Sequence, residues 1–214
     1  SSKSLDEITI IKKLEKFRIQ TNKLVDISFD TICGSGPNGA IIHYKAKEKK
    51  NRFLNKNDLL LIDSGGQYKE GTTDITRTLS FGKIRSDVKI KNTLVLKAMI
   101  NLSKFKWPQG LTGKELDLIA RSELWKHGID YNHGTGHGIG SFLSVHESPP
   151  SISRMSLTVI KPGMIVSNEP GYYKEQLYGI RIENILLVKK DDTLSLNNIP
   201  MLKFDTLTLA PIST

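Results

Sequence analysis

The chain has 214 residues, of which 38% are hydrophobic and 25% are charged. This composition is typical of a globular protein and excludes a mainly disordered chain. This length is enough to bury a substantial core in one large domain or two small ones. Its single cysteine, Cys33, excludes an internal disulfide and predicts a reducing, cytoplasmic location. The start, SSKSLDEITI, mixes apolar and charged residues, and no segment is apolar for long enough to span a bilayer, so neither a signal peptide nor a membrane partner is expected.

The net charge of +9 raises the question of nucleic-acid binding. Only seven of the 31 basic residues are arginine, the side chain that reads phosphates and bases with two parallel hydrogen bonds. The lysines are scattered, and the densest run, KAKEKKNR at 45–52, has the composition of a solvated loop. No nucleic-acid partner is therefore expected.

The first elements are a helix and a strand. Apolar residues recur at helical spacing and predict an amphipathic helix over 5–20, with Ser4 and Glu7 as a capping box. A strand is expected at 29–33, followed by the turn-rich segment GSGPNGA. A short apolar run, Ile41-Ile42, then leads to His43.

A hairpin is predicted next, in LLLIDSGGQYKEGTTDITRT at 59–78. The first run is buried and ends at Asp63, and the second alternates from Asp74 onward. A turn centred on Tyr68-Lys69 would place Asp63 opposite Asp74, with their Cβ atoms roughly 5 Å apart. Two carboxylates that close repel by on the order of 3 kcal/mol, so they need a shared proton, a basic partner or a bound cation. The alternative is that both cap turns and point into water.

Two helices and two strands follow. An amphipathic helix is expected over 87–105 and a second from Thr112, with Glu115 as its capping-box partner, to a stop at Gly128. Strands are predicted at 164–168 and 180–188. The mixture of helices and antiparallel hairpins predicts the α+β class.

Three of the five histidines, His133, His137 and His146, lie in YNHGTGHGIGSFLSVHE at 131–147. The glycines between them argue against a helix, and no glutamate follows His133, so a zincin motif is excluded. The repeated glycines indicate that the backbone approaches a ligand closely.

Two glutamates are predicted at strand ends. Glu169 ends the strand 164–168, and Arg181 and Glu183 would share one face of the strand 180–188. A buried glutamate there needs a partner, which could be Arg181 in a structural ion pair or a metal ion.

Taken together, Asp63, Asp74, Glu169 and Glu183 carry four negative charges, which two divalent cations would balance. A mostly oxygen site with one histidine nitrogen suits manganese, with cobalt or zinc as alternatives. Two such ions roughly 3.5–4 Å apart can turn a shared water into a nucleophile near neutral pH.

These residues, in this order, resemble the pita-bread (creatinase/aminopeptidase) metallopeptidases, which include methionine aminopeptidase, prolidase and aminopeptidase P. The residues of these motifs are most similar to those of the cytosolic Xaa-Pro aminopeptidases. The segments that carry the resemblance are GPNGAIIHY (36–44), LIDSGGQYKEGTTDITRT (61–78), HGTGHGIGSFLSVHE (133–147), EPGYY (169–173), GIRIEN (179–184) and LTLAPI (207–212). The resemblance implies an α+β pita-bread fold, a curved antiparallel sheet flanked by helices.

The resemblance also implies a role for each site residue. Its metal ligands would be Asp63 at one ion, His137 and Glu169 at the other, and Asp74 and Glu183 between the two. Glu169 would pass a proton toward the leaving amine. The remaining roles would be substrate hydrogen bonding by His43 and His146, lining of the substrate pocket by His133, and orientation of ligands or substrate by Arg181.

The implied reaction is release of the N-terminal residue from a peptide with proline second, with two divalent ions, most simply manganese, as cofactors. Residues 1–214 would form one catalytic domain without the family's preceding domains and opening helix, and Asn168 stands where the family often has Asp. Alternatives are a prolidase-like dipeptidase, a non-catalytic module that binds peptides or proteins, and a poorly folded remnant of a longer enzyme. A homodimer is left open.

Overall fold

The computed structural model of the protein describes residues 5–212, which form three α-helices, two short 3-10 helices (Gly36–Ala40 and Glu48–Lys50) and fourteen strands. The helices are α1 (Glu7–Ile19), α2 (Ser86–Lys104) and α3 (Gly113–Trp125). The strands are β1 (Leu24–Ile27), β2 (Ile32–Ser35), β3 (Leu59–Ser64), β4 (Gly66–Tyr68), β5 (Gly71–Thr72), β6 (Ile75–Ser80), β7 (Lys106–Pro108), β8 (Gly136–Ile139), β9 (His146–Ile152), β10 (Ile165–Asn168), β11 (Gly171–Lys174), β12 (Tyr178–Arg181), β13 (Asn184–Leu196) and β14 (Ile199–Thr206).

Every named strand pair is antiparallel, as the predicted α+β class requires. The largest sheet has six strands in the order β7-β14-β13-β10-β8-β9, and a second sheet has the order β2-β3-β6. Strands β11 and β12 form a separate pair, and β1, β4 and β5 form a small third sheet.

The helices α2 and α3 cover two clusters of buried apolar residues. One cluster packs α3 and the six-stranded sheet around the fully buried Trp107, and the other packs α2 against β12 around Val95 and Ile180. The predicted capping box of α3 is confirmed, since Thr112 accepts from the helix backbone and Glu115 accepts from the Thr112 N–H. Gly128, the predicted stop, has the left-handed φ of +65° that favours glycine.

The predicted register of the hairpin is wrong by two residues. Asp63 lies opposite Thr76, because the turn is centred on Lys69-Glu70, one residue later than predicted. Asp74 lies between β5 and β6 rather than in a ladder pair with Asp63.

The predicted single strand 180–188 is also wrong. The chain leaves β12 at Arg181 and enters β13 at Asn184, because β12 pairs with β11 whereas β13 pairs with β10 and β14. Glu183 therefore lies at a crossover between two sheets and does not share a strand face with Arg181.

Helix α1 is present but differs from the prediction. It begins after Asp6, whose carboxylate accepts from the Thr9 N–H at 2.7 Å; Ser4 lies outside the described residues. Its apolar residues are only partly covered, and Phe17 and Ile19 are more than half exposed. Glu7 is the buried residue of this helix.

Candidate metal centre and active site

A cavity of about 410 Å³ brings together all nine residues predicted from the sequence to form the site. Four of them lie on strands β3, β8, β9 and β12, and the other five lie in loops between elements. The nine are His43, Asp63, Asp74, His133, His137, His146, Glu169, Arg181 and Glu183. The wrong register therefore did not displace either aspartate from the cavity.

The carboxylates and His137 form the negative side of this cavity. One side-chain ligand atom each of Asp74, His137 and Glu183 lies within 4.8 Å of the other two. The His137 Nε2 atom is 3.4 Å from Asp74 Oδ2 and 3.4 Å from Glu169 Oε1. The other ring nitrogen, Nδ1, is 2.9 Å from the Gly138 carbonyl oxygen and must donate to it. In the neutral ring this leaves the Nε2 lone pair facing the carboxylates.

Burial and mutual repulsion hold protons on this cluster. Burial, and then the nearby charges of Asp63 and Glu169, raise the pKa of Asp74 well above its usual value. Burial and the charges of Asp74 and Glu169 do the same to the pKa of Glu183. The pKa of Glu169 is also raised, chiefly by burial, although His137 and Arg181 oppose the shift.

A pair of divalent cations fits these residues. Within the described part of the chain, the buried Asp63 Oδ1 atom has no hydrogen-bond partner, and the other acidic side chains repel one another. Carboxylate oxygens with one imidazole nitrogen form the donor set that manganese, cobalt and zinc accept. A bound cation would supply the charge that this cluster lacks.

Arg181 partners Asp63 rather than Glu183, so the structural ion pair considered from the sequence is not formed. Its Nη2 atom donates to Asp63 Oδ2 at 2.7 Å, and its Nη1 atom donates to the Tyr173 hydroxyl at 2.8 Å. Glu183 instead accepts from the Thr76 hydroxyl at 2.7 Å. The guanidinium is 2% exposed, so it fixes one oxygen of Asp63 and leaves the other free.

The His133 imidazole uses both of its nitrogens within the protein. Nδ1 donates to the Gly134 carbonyl at 2.8 Å, so Nε2 accepts from the Tyr173 hydroxyl at 2.8 Å. Burial lowers the pKa of His133 to about 4. The ring is thus a neutral, fixed part of the cavity wall.

His146 and His43 lie at the mouth. The rings of His146 and His137 are 4.3 Å apart between centroids, and burial, followed by the proximity of the His137 ring, lowers the pKa of His146. Both mouth histidines also border a groove that continues outward past Phe29, Asp30 and Lys45.

A buried network behind His133 was not predicted from the sequence. Arg121, on α3, donates to Asp117 at 2.6 Å and to the backbone carbonyls of Tyr131 and His133 at 2.7 and 2.6 Å. Asp117 also accepts from the Thr135 hydroxyl. The signal available was an Asp and an Arg at i,i+4 spacing on the face of α3 that also carries Leu116, Ala120 and Leu124.

Asn168, where the resemblance often has Asp, is fully buried beside Glu169. Its amide donates to the Met99 carbonyl at 2.9 Å and to the Ser103 hydroxyl at 3.0 Å, both on α2. A carboxylate could not donate to that carbonyl, which accounts for the amide at this position.

Residues 2–190 match the sequence profile of metallopeptidase family M24. The chain belongs to this family. Its relatives include proteins named "Probable Xaa-Pro aminopeptidase P" from Tuber melanosporum, 46% identical over 97% of this M24 chain, and from Phaeosphaeria nodorum, 48% identical over 97%. The M24 chain spans about a third of their length, 34% and 33% respectively.

Solved structures confirm the pita-bread fold. The X-prolyl aminopeptidase of Caenorhabditis elegans, described as a cytosolic enzyme with a di-nuclear active site, is 40% identical with a TM-score of 0.92 over 100% of the M24 chain and 35% of its own. The prolidase of Pyrococcus furiosus is 34% identical with a TM-score of 0.78 over 86% of the M24 chain and 53% of its own. Among residues 5–212, none of the helices combines the length and the apolarity that crossing a bilayer requires.

Proposed function

We propose that this chain carries the catalytic centre of a two-metal aminopeptidase that releases the N-terminal residue from peptides with proline second. The observation that carries the proposal is one cavity in which buried carboxylates meet a histidine whose Nε2 lone pair is free. The names of the M24 relatives, Xaa-Pro aminopeptidase P and X-prolyl aminopeptidase, supply the substrate class.

The metal ligands in this proposal are Asp63, Asp74, His137, Glu169 and Glu183. Two divalent ions held there would make a bound water acidic enough to act as a nucleophile near neutral pH. We assign manganese to the site on its donor set, and the cytoplasm as location on the single cysteine and on the cytosolic relative from Caenorhabditis elegans.

Glu169 is the proton carrier of the proposal. Its Oε1 atom accepts from the Ser167 hydroxyl at 3.0 Å and lies 3.4 Å from His137 Nε2, inside the cavity. A carboxyl with a raised pKa can take a proton from the attacking water and return it to the leaving amine near neutral pH.

The mouth histidines, His43 and His146, would donate hydrogen bonds to the substrate carbonyl as negative charge develops on its oxygen. His133 has no nitrogen left to donate a hydrogen bond to the substrate, because Nδ1 donates to the Gly134 carbonyl and Nε2 accepts from the Tyr173 hydroxyl. Its ring face is therefore left to pack against the substrate's proline ring or first residue.

A prolidase-like dipeptidase is the second candidate, since prolidases from archaea share the fold at TM-scores of about 0.8. The groove beyond His43 and His146 favours the aminopeptidase, because it extends the cavity past the mouth and leaves room for residues after the proline. Comparing cleavage of an Xaa-Pro dipeptide with that of an Xaa-Pro-Pro tripeptide separates the two candidates.

A non-catalytic binding module is disfavoured by the ligand set. All five ligand positions carry metal-binding side chains, and the cavity walls retain the histidines. A homodimer is a separate expectation, which sedimentation of the purified chain tests.

The deciding experiment is incubation of the chain with manganese and an Xaa-Pro-Pro tripeptide, followed by mass spectrometry for the freed residue. Release by the native chain and none by Glu183→Gln supports the proposal. Manganese binding at micromolar concentration without release by the native chain contradicts catalysis by this chain and favours the binding module.

A further inference from the structure

Glu7, on the first turn of α1, is a carboxylate with no exposed surface. It accepts hydrogen bonds from the Ser35 N–H at 2.7 Å, the Asn38 amide at 3.0 Å and the Arg52 N–H at 3.0 Å. The Tyr44 hydroxyl also lies 2.8 Å from it and contacts the Lys50 carbonyl as well, so its single hydrogen lies between two acceptors. The Glu7 N–H in turn donates to the Arg52 carbonyl at 3.1 Å.

These donors lie on both sides of His43. Ser35 ends β2 and Asn38 lies in the GPNG turn, whereas Tyr44 directly follows His43 and Arg52 closes the next loop. Glu7 therefore joins the two stems of the loop whose tip places His43 in the cavity wall.

Hydrogen bonds alone satisfy this charge. Among residues 5–212, no lysine, arginine or histidine side chain lies within 4.0 Å of the Glu7 carboxylate. Burying a carboxylate without a cation is unfavourable unless its oxygens accept several hydrogen bonds. Packing of α1 alone would be served by an apolar residue, whereas three converging nitrogen donors and the Tyr44 hydroxyl require two acceptor oxygens.

We propose that Glu7 is a positioning residue for His43. It does not line the cavity, and it acts by fixing the backbone on both sides of the histidine. This inference rests on the proposed function only for the role of His43 in catalysis; the fixing of the imidazole can be measured without it.

Glu7→Gln is the informative substitution. It keeps the size of the side chain but puts an NH₂ group against donors that need an acceptor. We expect the two stems to shift, and the imidazole with them. Glu15→Gln is the matched control, because Glu15 lies on the same helix and is partly exposed.

The first readout is independent of activity. In the metal-free chain, NMR signals of the five histidine rings are assigned, that of His43 through its loss in His43→Asn. We expect Glu7→Gln to shift or broaden the His43 signal and leave that of His127, which does not line the cavity, in place, with no change in Glu15→Gln. An equal shift at His127 would show a general loosening of the fold and would overturn the proposal.

The second readout is a double-mutant cycle on kcat/KM with manganese and the tripeptide. We expect Glu7→Gln to lower kcat/KM by about tenfold in the native background and by less than about twofold in His43→Asn, with unchanged manganese stoichiometry. An equal loss in both backgrounds would overturn action through His43. An inactive native chain with a selective His43 shift would reject the proposed function and leave the positioning role intact.

Discussion

His133 and His137 are four residues apart, yet the protein uses their rings in opposite ways. Each Nδ1 donates to a neighbouring glycine carbonyl, so the difference lies at Nε2. In His133 this atom accepts from Tyr173, whereas in His137 it faces Asp74 and Glu169. The group next to Nε2 therefore decides the role of each histidine. His133 lines the cavity as a fixed side chain, whereas His137 is a candidate metal ligand.

The His133 ring, partly buried and hydrogen-bonded at both nitrogens, predicts that the chain loses stability in acid. Its pKa is about 4 in the folded chain, against about 6.5 when unfolded. Between these values the unfolded state binds more protons, so the free energy of unfolding falls as the pH falls from 6.5 to 4, by on the order of 3 kcal/mol.

Urea unfolding in chelator, compared between the native chain and His133→Gln, isolates this contribution, because the acidic cluster is the same in both. The native chain should lose more stability than the variant over this window. Parallel pH curves for the two proteins would contradict the prediction.

The acidic cluster predicts that neutralising one ligand stabilises the metal-free chain. Burial and the charges of Asp74 and Glu169 disfavour ionised Glu183, so folding at neutral pH carries the cost of protonating this carboxyl. Glu183→Gln removes that cost, so it should raise the free energy of unfolding in chelator by about 1–3 kcal/mol while abolishing catalysis. Thermal midpoints with chelator and with manganese check this. Only the native chain should gain stability from manganese, and a variant that melts below the native chain in chelator would count against the repulsion.

At the residue scale, the nine side chains predicted from the sequence lie in one cavity, but their hydrogen-bond partners were not predicted. The side chains that bind metals are recognisable by type and order. Glu7 was interpreted as a capping residue because Ser4-x-x-Glu7 matches that pattern, whereas its partners lie 28 to 45 residues away. Contacts between residues so far apart in the sequence produce no regular local spacing, so the sequence pattern does not reveal them.

At the scale of elements, the sequence predicted which segments form strands better than how they pair. The hairpin between β3 and β6 is interrupted at Gly65, and its turn lies one residue later than expected, which changes every partner by two. The capping box of α3 was predicted correctly because both of its residues belong to one turn of helix. The interruption between β12 and β13 was not predicted, because no glycine or proline marks it in the sequence. It arises because β12 pairs with β11 whereas β13 pairs with β10.

Gly65 is where this hairpin tolerates no side chain. A Cβ atom there would lie 1.9 Å from the Thr73 carbonyl oxygen and 2.2 Å from the Ser28 hydroxyl. Gly65→Ala should therefore destabilise the chain by about 3 kcal/mol or more and separate Asp63 from Asp74. Urea unfolding and manganese titration check both effects, and unaltered manganese affinity would contradict the second.

The contact between β10 and α2 depends on the amide of Asn168. Asn168→Asp would place a carboxylate against the Met99 carbonyl and should cost about 2 kcal/mol at neutral pH. Asn57→Asp, at an exposed position, is the control and should cost almost nothing. Equal stability of the two variants in urea would show that the Met99 contact is weak.

At the scale of the whole molecule, the fold class and the pita-bread family followed from the order of the motifs, and both are confirmed. What could not be predicted is the exposure of α1, because its apolar spacing predicts a buried face in any context. The chain spans about a third of the length of its relatives, so how it unfolds as an isolated chain is a separate prediction.

We expect the isolated chain to unfold in one sharp transition. Both buried clusters contain residues of α2 and α3, and Glu7 connects α1 to the segments around His43. Calorimetry checks this, with equal calorimetric and van't Hoff enthalpies expected. A broad transition would favour the remnant.

The crossover at Glu183 has a mechanical consequence. Asp63 lies on β3 and Asp74 just before β6, whereas His137 lies on β8 and Glu169 just after β10 of the six-stranded sheet, and Glu183 lies between the two sheets. Without cations, burial and mutual repulsion disfavour the ionised carboxylates at this junction, so amide hydrogens along β6 and around Ile182 should exchange with solvent sooner than those beneath α3. Ions bound there would hold the two sheets together. Adding manganese without substrate should therefore slow the exchange of these amide hydrogens.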